Sequence, residues 1–183
     1  MHWLNRIERM TAMLARLSGG LAVLSVLGLL CVVFGNVIGR YALSLVSIGL
    51  QELEWHLFAT AFLFGVPYAM HHDSHVRVDI LYERWNDRRK AWVNLLGTLL
   101  FVWPFCVLLI FYGFDFAAAA LGMGEGSGDP GGLPHRWIIK TTIPLSFAFV
   151  LLVSLGYLTQ ALRVLLCGGT YAQRAHSEGA HLS

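Results

Sequence analysis

His71, His72 and His75, with Asp79 beyond them, form the densest group of metal-capable side chains in the sequence. On a helix, residues three and four apart share one side, so His72, His75 and Asp79 would converge as metal ligation requires. A closed ligand set usually draws on more than one segment, and no second histidine cluster occurs. The plainer reading is a helix entrance at a membrane interface, with Asp73 and Arg77 paired at i, i+4. His56 is the one histidine inside a long apolar run. A membrane haem needs facing histidines, so a polar contact between helices accounts for His56 more simply. A membrane anchor carrying haem or metal for an oxidoreductase is the alternative that these histidines motivate. Arg40, Glu52 and Glu54 are ionisable groups near apolar runs, where charge is costly unless paired or wet. They could gate an ion or substrate, clasp one another as Arg40–Glu52, or anchor a partner protein. No nucleophile elbow or phosphate loop occurs, so neither an enzyme nor a bound cofactor is expected. Cys31, Cys106 and Cys167 are far apart, without a CxxC pair, and are read as small hydrophobes.

The elements that must position these groups follow from composition. Of 183 residues, 56% are hydrophobic and 13% charged, against roughly 25% charged in a soluble domain. Mean hydropathy is +0.61. The net charge of +2 and the lack of a basic-aromatic ladder argue against a nucleic-acid partner. Four apolar runs, 17–38, 53–70, 91–112 and 138–158, each approach the ~20 residues that a spanning helix needs. In lipid the backbone must satisfy its own hydrogen bonds, which makes the runs helices. The expected fold is all-α and integral to the membrane: one four-helix domain over 1–167, then a flexible polar tail over 168–183. The first run exceeds the roughly 7–15 apolar residues of a signal peptide, so it reads as a retained span.

Short interfacial amphipathic helices are also expected. Trp3, Ile7, Met10, Leu14 and Leu17 recur at helical spacing, a lead-in lying on the membrane surface. Val78, Leu81, Tyr82 and Trp85 form a second stripe. The glycine-rich stretch 122–132 reads as a loop, and Pro67, Pro104 and Pro144 should bend the spans that contain them. Polar residues inside the runs, such as Asn36, Thr98 and Ser154, are scattered, and no internal repeat or broken helix marks a solute path. The chain reads as a scaffold that packs against something larger.

Orientation follows from Lys and Arg. Arg6, Arg9 and Arg16 precede the first run, the cluster Arg84, Arg88, Arg89 and Lys90 follows the second with Arg77, and Arg163 and Arg174 follow the fourth. Only Arg40, Arg136 and Lys140 fall in the other two connections. Both termini are therefore expected in the cytoplasm. Trp55, Trp92 and Trp137 at the starts of runs two to four suit the headgroup zone, while Trp103 lies mid-span.

From Gln51 the chain reads QELEWHLFATAFLFGVPYAMHHDSHVRVDILYERW. With the Arg40-Tyr41 pair before it, and GEGSGDPGGLPHRWIIKTTIPLSFAF over 124–149 after it, this resembles the small membrane subunit of TRAP (tripartite ATP-independent periplasmic) transporters. The matching positions are Glu52 opening the second span, Gly65 within it, His75-Val76-Arg77-Val78-Asp79 after it, and Lys140 with Ile143-Pro144 in the fourth. Ser146, where a glycine is common, and the ending Val153-Ser154-Leu155-Gly156 depart from one subgroup. The tripartite tricarboxylate carriers share the four-span plan but are not associated with the His75–Asp79 motif. The resemblance implies a bacterial inner-membrane subunit. A periplasmic binding protein would capture an organic acid, and a large multi-span membrane subunit would carry it inward on an ion gradient. It also implies that Arg40, Glu52, Gly65, His75, Arg77, Asp79, Lys140 and Pro144 are subunit-interface or structural residues.

Overall fold

The computed structural model describes residues 2–72 and 85–167, and all of its regular elements are helical. They are α1 (His2–Ala42), α2 (Ile48–His71), α3 (Asp87–Gly122) and α4 (Trp137–Cys167). Helices α1, α3 and α4 are long and apolar enough to cross a membrane. The 24 residues of α2 extend about 36 Å at 1.5 Å per residue, also enough for a ~30 Å hydrocarbon core. Its apolarity is lower because Glu52, Glu54 and His56 crowd its first turns.

The ends of the helices differ from the sequence expectation. The lead-in over 3–17 is helical, but it is not a separate surface helix: α1 is one rod of 41 residues. Its first turns contain good helix formers such as Met, Leu, Ala and Arg with no glycine or proline, and α4 supports them. Arg163 of α4 bonds the Asn5 amide oxygen and lies 3.4 Å from the Glu8 carboxylate. Likewise α3 runs to Gly122, past residue 112, through the strong helix-forming run Ala117–Ala120. The second interfacial stripe, 78–85, falls almost wholly outside the described residues, as does the tail.

The register of the bundle is set by close contacts between antiparallel neighbours. Against α2, Gly19 of α1 faces the Tyr68 ring, Gly28 faces Leu57, and Asn36 donates to Glu54 at 2.8 Å. Against α4, Gly156 lies beside Thr11 of α1, Ala91 of α3 packs on Ala161 and Val164, and Gly113 of α3 packs on Pro144. Helix α4 is thus the hub: α1, α2 and α3 all pack on it. The main core joins α2, α3 and α4 through Met70, Cys106, Val150 and Tyr157. One end of the bundle gathers the start of α1, the end of α2, the start of α3 and the end of α4. The other gathers both long turns, 43–47 and 123–136.

Polar side chains inside the helices are satisfied locally. Ser18, Ser25, Thr60, Ser146, Ser154 and Thr159 each donate to a carbonyl three or four residues back, which avoids unpaired hydroxyls where no water is present. In α3 the segment Thr98–Val102 widens into a π-turn just ahead of Pro104. The ring removes a backbone donor, and the wider turn lets the Trp103 N–H reach the Thr98 carbonyl. Pro67 and Pro144 are fully buried and lie within helices that continue through them.

Candidate functional site

Around the first turns of α2, residues from three parts of the chain meet. Ser47 caps the helix, accepting from the Leu50 N–H at 3.3 Å. One turn on, Glu52 points at the 123–136 loop. One of its carboxylate oxygens accepts from the Ser127 hydroxyl, and the other accepts from the Leu133 N–H at 2.6 Å. The loop is shaped for this. Ser127 N–H donates to the Leu133 carbonyl at 3.0 Å, Asp129 N–H donates to the Ser127 hydroxyl at 3.1 Å, and Gly132 N–H donates to Asp129 at 3.0 Å. Gly131 sits at φ 84°, where a side chain would be strained. A Cβ on Gly132 would overlap Ser127 and come within 2.9 Å of Glu52.

The electrostatics follow from these contacts. Glu52 precedes the apolar stretch of α2. The Ser127 hydroxyl, then the Leu133 N–H, hold its carboxyl below the ordinary glutamate range, with Arg136 adding to the effect. The loop's other anchor is Lys140, whose ammonium pairs with the Glu125 carboxylate and lies 3.9 Å from the centre of the Phe116 ring. Lys140 therefore ties the loop and the end of α3 to α4. Arg136 N–H donates to the Glu125 carbonyl at 3.0 Å, fixing where α4 begins.

The other sequence candidates are distributed more widely. Arg40 is exposed in the last turn of α1. Of the readings open for these charges, the Arg40–Glu52 clasp is not the contact seen: Ser127 and Leu133 bond the two Glu52 carboxylate oxygens. Pro144 forms the close α3–α4 contact with Gly113. Gly65 is different: a Cβ there would meet nothing within 4 Å. His75, Arg77 and Asp79 lie outside the described residues. Of the histidine cluster, His71 and His72 close α2. The His72 ring lies 3.0 Å from the Tyr68 carbonyl and stacks on the Tyr68 ring at 4.2 Å.

Three further contacts between helices were not foreseen from the sequence. Asn36 meets Glu54, the Trp103 indole N–H donates to Ser154 at 3.0 Å, and Tyr157 donates to the Met70 carbonyl at 2.7 Å. The position of Trp103 in mid-span is the one sequence signal that could have found its bond, since a buried indole N–H needs an acceptor. Beside the latch, α2 and α4 diverge around a groove of about 870 Å³, with His56, Phe62, Ile139 and Ile143 among its lining residues. The arrangement ties a loop rigidly to two helix starts.

Among curated proteins none matches the chain. The family model for tripartite ATP-independent periplasmic transporters, DctQ component, matches residues 29–164, from the middle of α1 almost to the end of α4. With most of the helical body inside that match, the chain belongs to the DctQ family of tripartite ATP-independent periplasmic transporter components.

Proposed function

We propose that this chain is the scaffold subunit beside a large, multi-span transport subunit. That assembly takes up an organic acid delivered by a periplasmic binding protein and is driven by an ion gradient. The observation that carries this reading is the family match across α1 to α4. The structure adds support. Apolar side chains such as Val23, Phe34, Phe62, Phe101 and Phe111 are exposed along the helices, a surface suited to lipid and to another membrane protein. The open side of Gly65 offers close approach to a neighbouring helix. Arg40, Gly65, His75, Arg77 and Asp79 are assigned to subunit contact or to orientation at the membrane surface. Glu52, Lys140 and Pro144 hold the chain's own loop and helices.

The inner membrane is the proposed location, with both termini in the cytoplasm. Arg6, Arg9, Arg88, Arg89, Lys90 and Arg163 belong to the end of the bundle that also holds the start of α1 and the end of α4. Arg40, Arg136 and Lys140 belong to the other end, so the positive-inside rule favours that orientation.

The test is to isolate the tagged full chain from its native membrane in mild detergent and identify what accompanies it. A stoichiometric, larger, many-span protein supports the assignment and supplies the subunit in which to measure uptake. Recovery alone, or with a coloured redox protein, overturns it. Reversing the charge of Arg77 and of Asp79 singly should lower subunit retention or uptake; unchanged values of both would remove those two residues from the interface.

A further inference from the structure

We propose that the groove between α2 and α4 is a binding site for one glycerophospholipid, with an acyl chain along α2 and the phosphodiester at Arg136. The two helices run in the same direction. They are held together at one end by the Phe64–Phe149 ring pair, with centres 5.7 Å apart, and by the Tyr157–Met70 bond at 2.7 Å. Towards the 123–136 loop they separate around the cavity of about 870 Å³. Its walls are apolar, with Phe58, Ala59 and Phe62 on α2 and Ile139 and Ile143 on α4. Its charged lining residues, Glu52, Asp129, Arg136 and Lys140, all belong to the loop or to the first turns of the two helices. A pocket apolar along its length and charged at one mouth matches an amphiphile rather than a small organic acid.

Depth points the same way. The α2 lining runs from Ile48 to Leu63, which is about 22 Å at 1.5 Å per residue. One leaflet is about half of a ~30 Å hydrocarbon core, so the groove is deep enough for one layer of acyl chains and leaves its charged end, around Glu52 and Arg136, for a headgroup. Trp55, 77% exposed beside the mouth, marks the headgroup level.

Arg136 supplies the headgroup contact. Lys140 is already taken up by Glu125 and Phe116, and Glu52 by Ser127 and Leu133. No hydrogen bond or ion pair engages the half-buried Arg136 side chain among the described residues, although it lies in the field of Glu52. Its position is set by the main-chain bond to Glu125 and by the left-handed turn at His135, φ 61°. A guanidinium fork in that place suits a phosphodiester.

The experiment is native mass spectrometry of the full chain, with any co-purifying subunit, after extensive detergent exchange. Wild type should retain one adduct of phospholipid mass, which also separates it from inorganic phosphate. Ala59→Trp fills the groove and should abolish the adduct. Arg136→Gln should lower its occupancy about tenfold, as expected for one lost charge-assisted hydrogen bond. Leu100→Trp, on the exposed side of α3, should change nothing. A photo-crosslinker at Ile143, a half-buried residue of the groove wall, should capture lipid in the native membrane. Absence of the adduct from wild type, equal retention in all variants, or capture of protein instead of lipid at Ile143 would each overturn the proposal.

Discussion

Two glycines in comparable helical settings should respond oppositely to the same methyl group. A Cβ on Gly113 would come within 3.0 Å of Pro144 Cδ and 3.2 Å of its Cβ. Those atoms belong to a rigid ring inside α4, so they cannot rotate aside as the end of a long side chain could. Overpacking of this kind costs about 1–3 kcal/mol. Against it stands the helix-propensity gain of Gly→Ala, about 1 kcal/mol. The balance for Gly113→Ala is a loss of about 0–2 kcal/mol. Gly65→Ala receives the same propensity gain with no collision, since nothing lies within 4 Å. At about 2–4 °C per kcal/mol for a chain of this size, Gly65→Ala should raise the midpoint of thermal unfolding by about that much. Gly113→Ala should lower it by up to about 8 °C. The assay is tryptophan-fluorescence unfolding of the purified chain in one detergent at one protein concentration. A rise of equal size in both variants would refute the α3–α4 contact. In the native membrane Gly65→Ala should instead reduce recovery of the larger subunit, because the open side that benefits the isolated chain is the side proposed to be covered.

Glu52 predicts a pH dependence. The Ser127 hydroxyl and then the Leu133 N–H lower its pKa in the folded chain, so docking of the 123–136 loop should be complete above the ordinary glutamate value of about 4.3 and be lost as pH falls through the lower folded value. Hydrogen exchange of the loop, corrected for intrinsic rates, should show protection falling only below that range. Glu52→Gln should be less protected at neutral pH, and its protection should depend less on pH than that of the wild type. Trp103→Phe deletes the interhelical bond to Ser154 and should cost about 0.6 kcal/mol, the average for such bonds in membranes, and no more than about 1.7 kcal/mol; helicity should be unchanged and the unfolding midpoint lower. Arg163→Ala breaks a half-exposed pair with Glu8, so its effect should stay below about 1 kcal/mol and shrink with added salt. A large, salt-independent loss would mean that the start of α1 depends on that contact far more than its exposure implies.

The all-helical fold, with apolar helices long enough to cross a membrane, could be read from the sequence because the bilayer leaves few choices. A run such as 17–38 has to close its own backbone hydrogen bonds, and helix does that locally. The glycine-rich loop was equally plain, since its residue types allow backbone conformations closed to others. Helix ends were harder. Nothing in residues 3–17 alone says whether the turns before an apolar run lie on a surface or continue straight. Contacts with Arg163 and Gly156, near the opposite end of the chain, help decide that α1 is one rod. The latch was the least accessible feature. Glu52 can be singled out as a charge in need of a partner, but its partners are 75 and 81 residues away, and nothing local points to them. Trp103 and Ser154, 51 residues apart, meet only once Gly113 and Pro144 set the register between α3 and α4. Residue chemistry alone determined which groups could not be left alone in lipid. Which group answers each of them was decided by helix packing, because the antiparallel register that pairs residue 19 with 68 and 113 with 144 is a property of facing surfaces and not of any local stretch of chain.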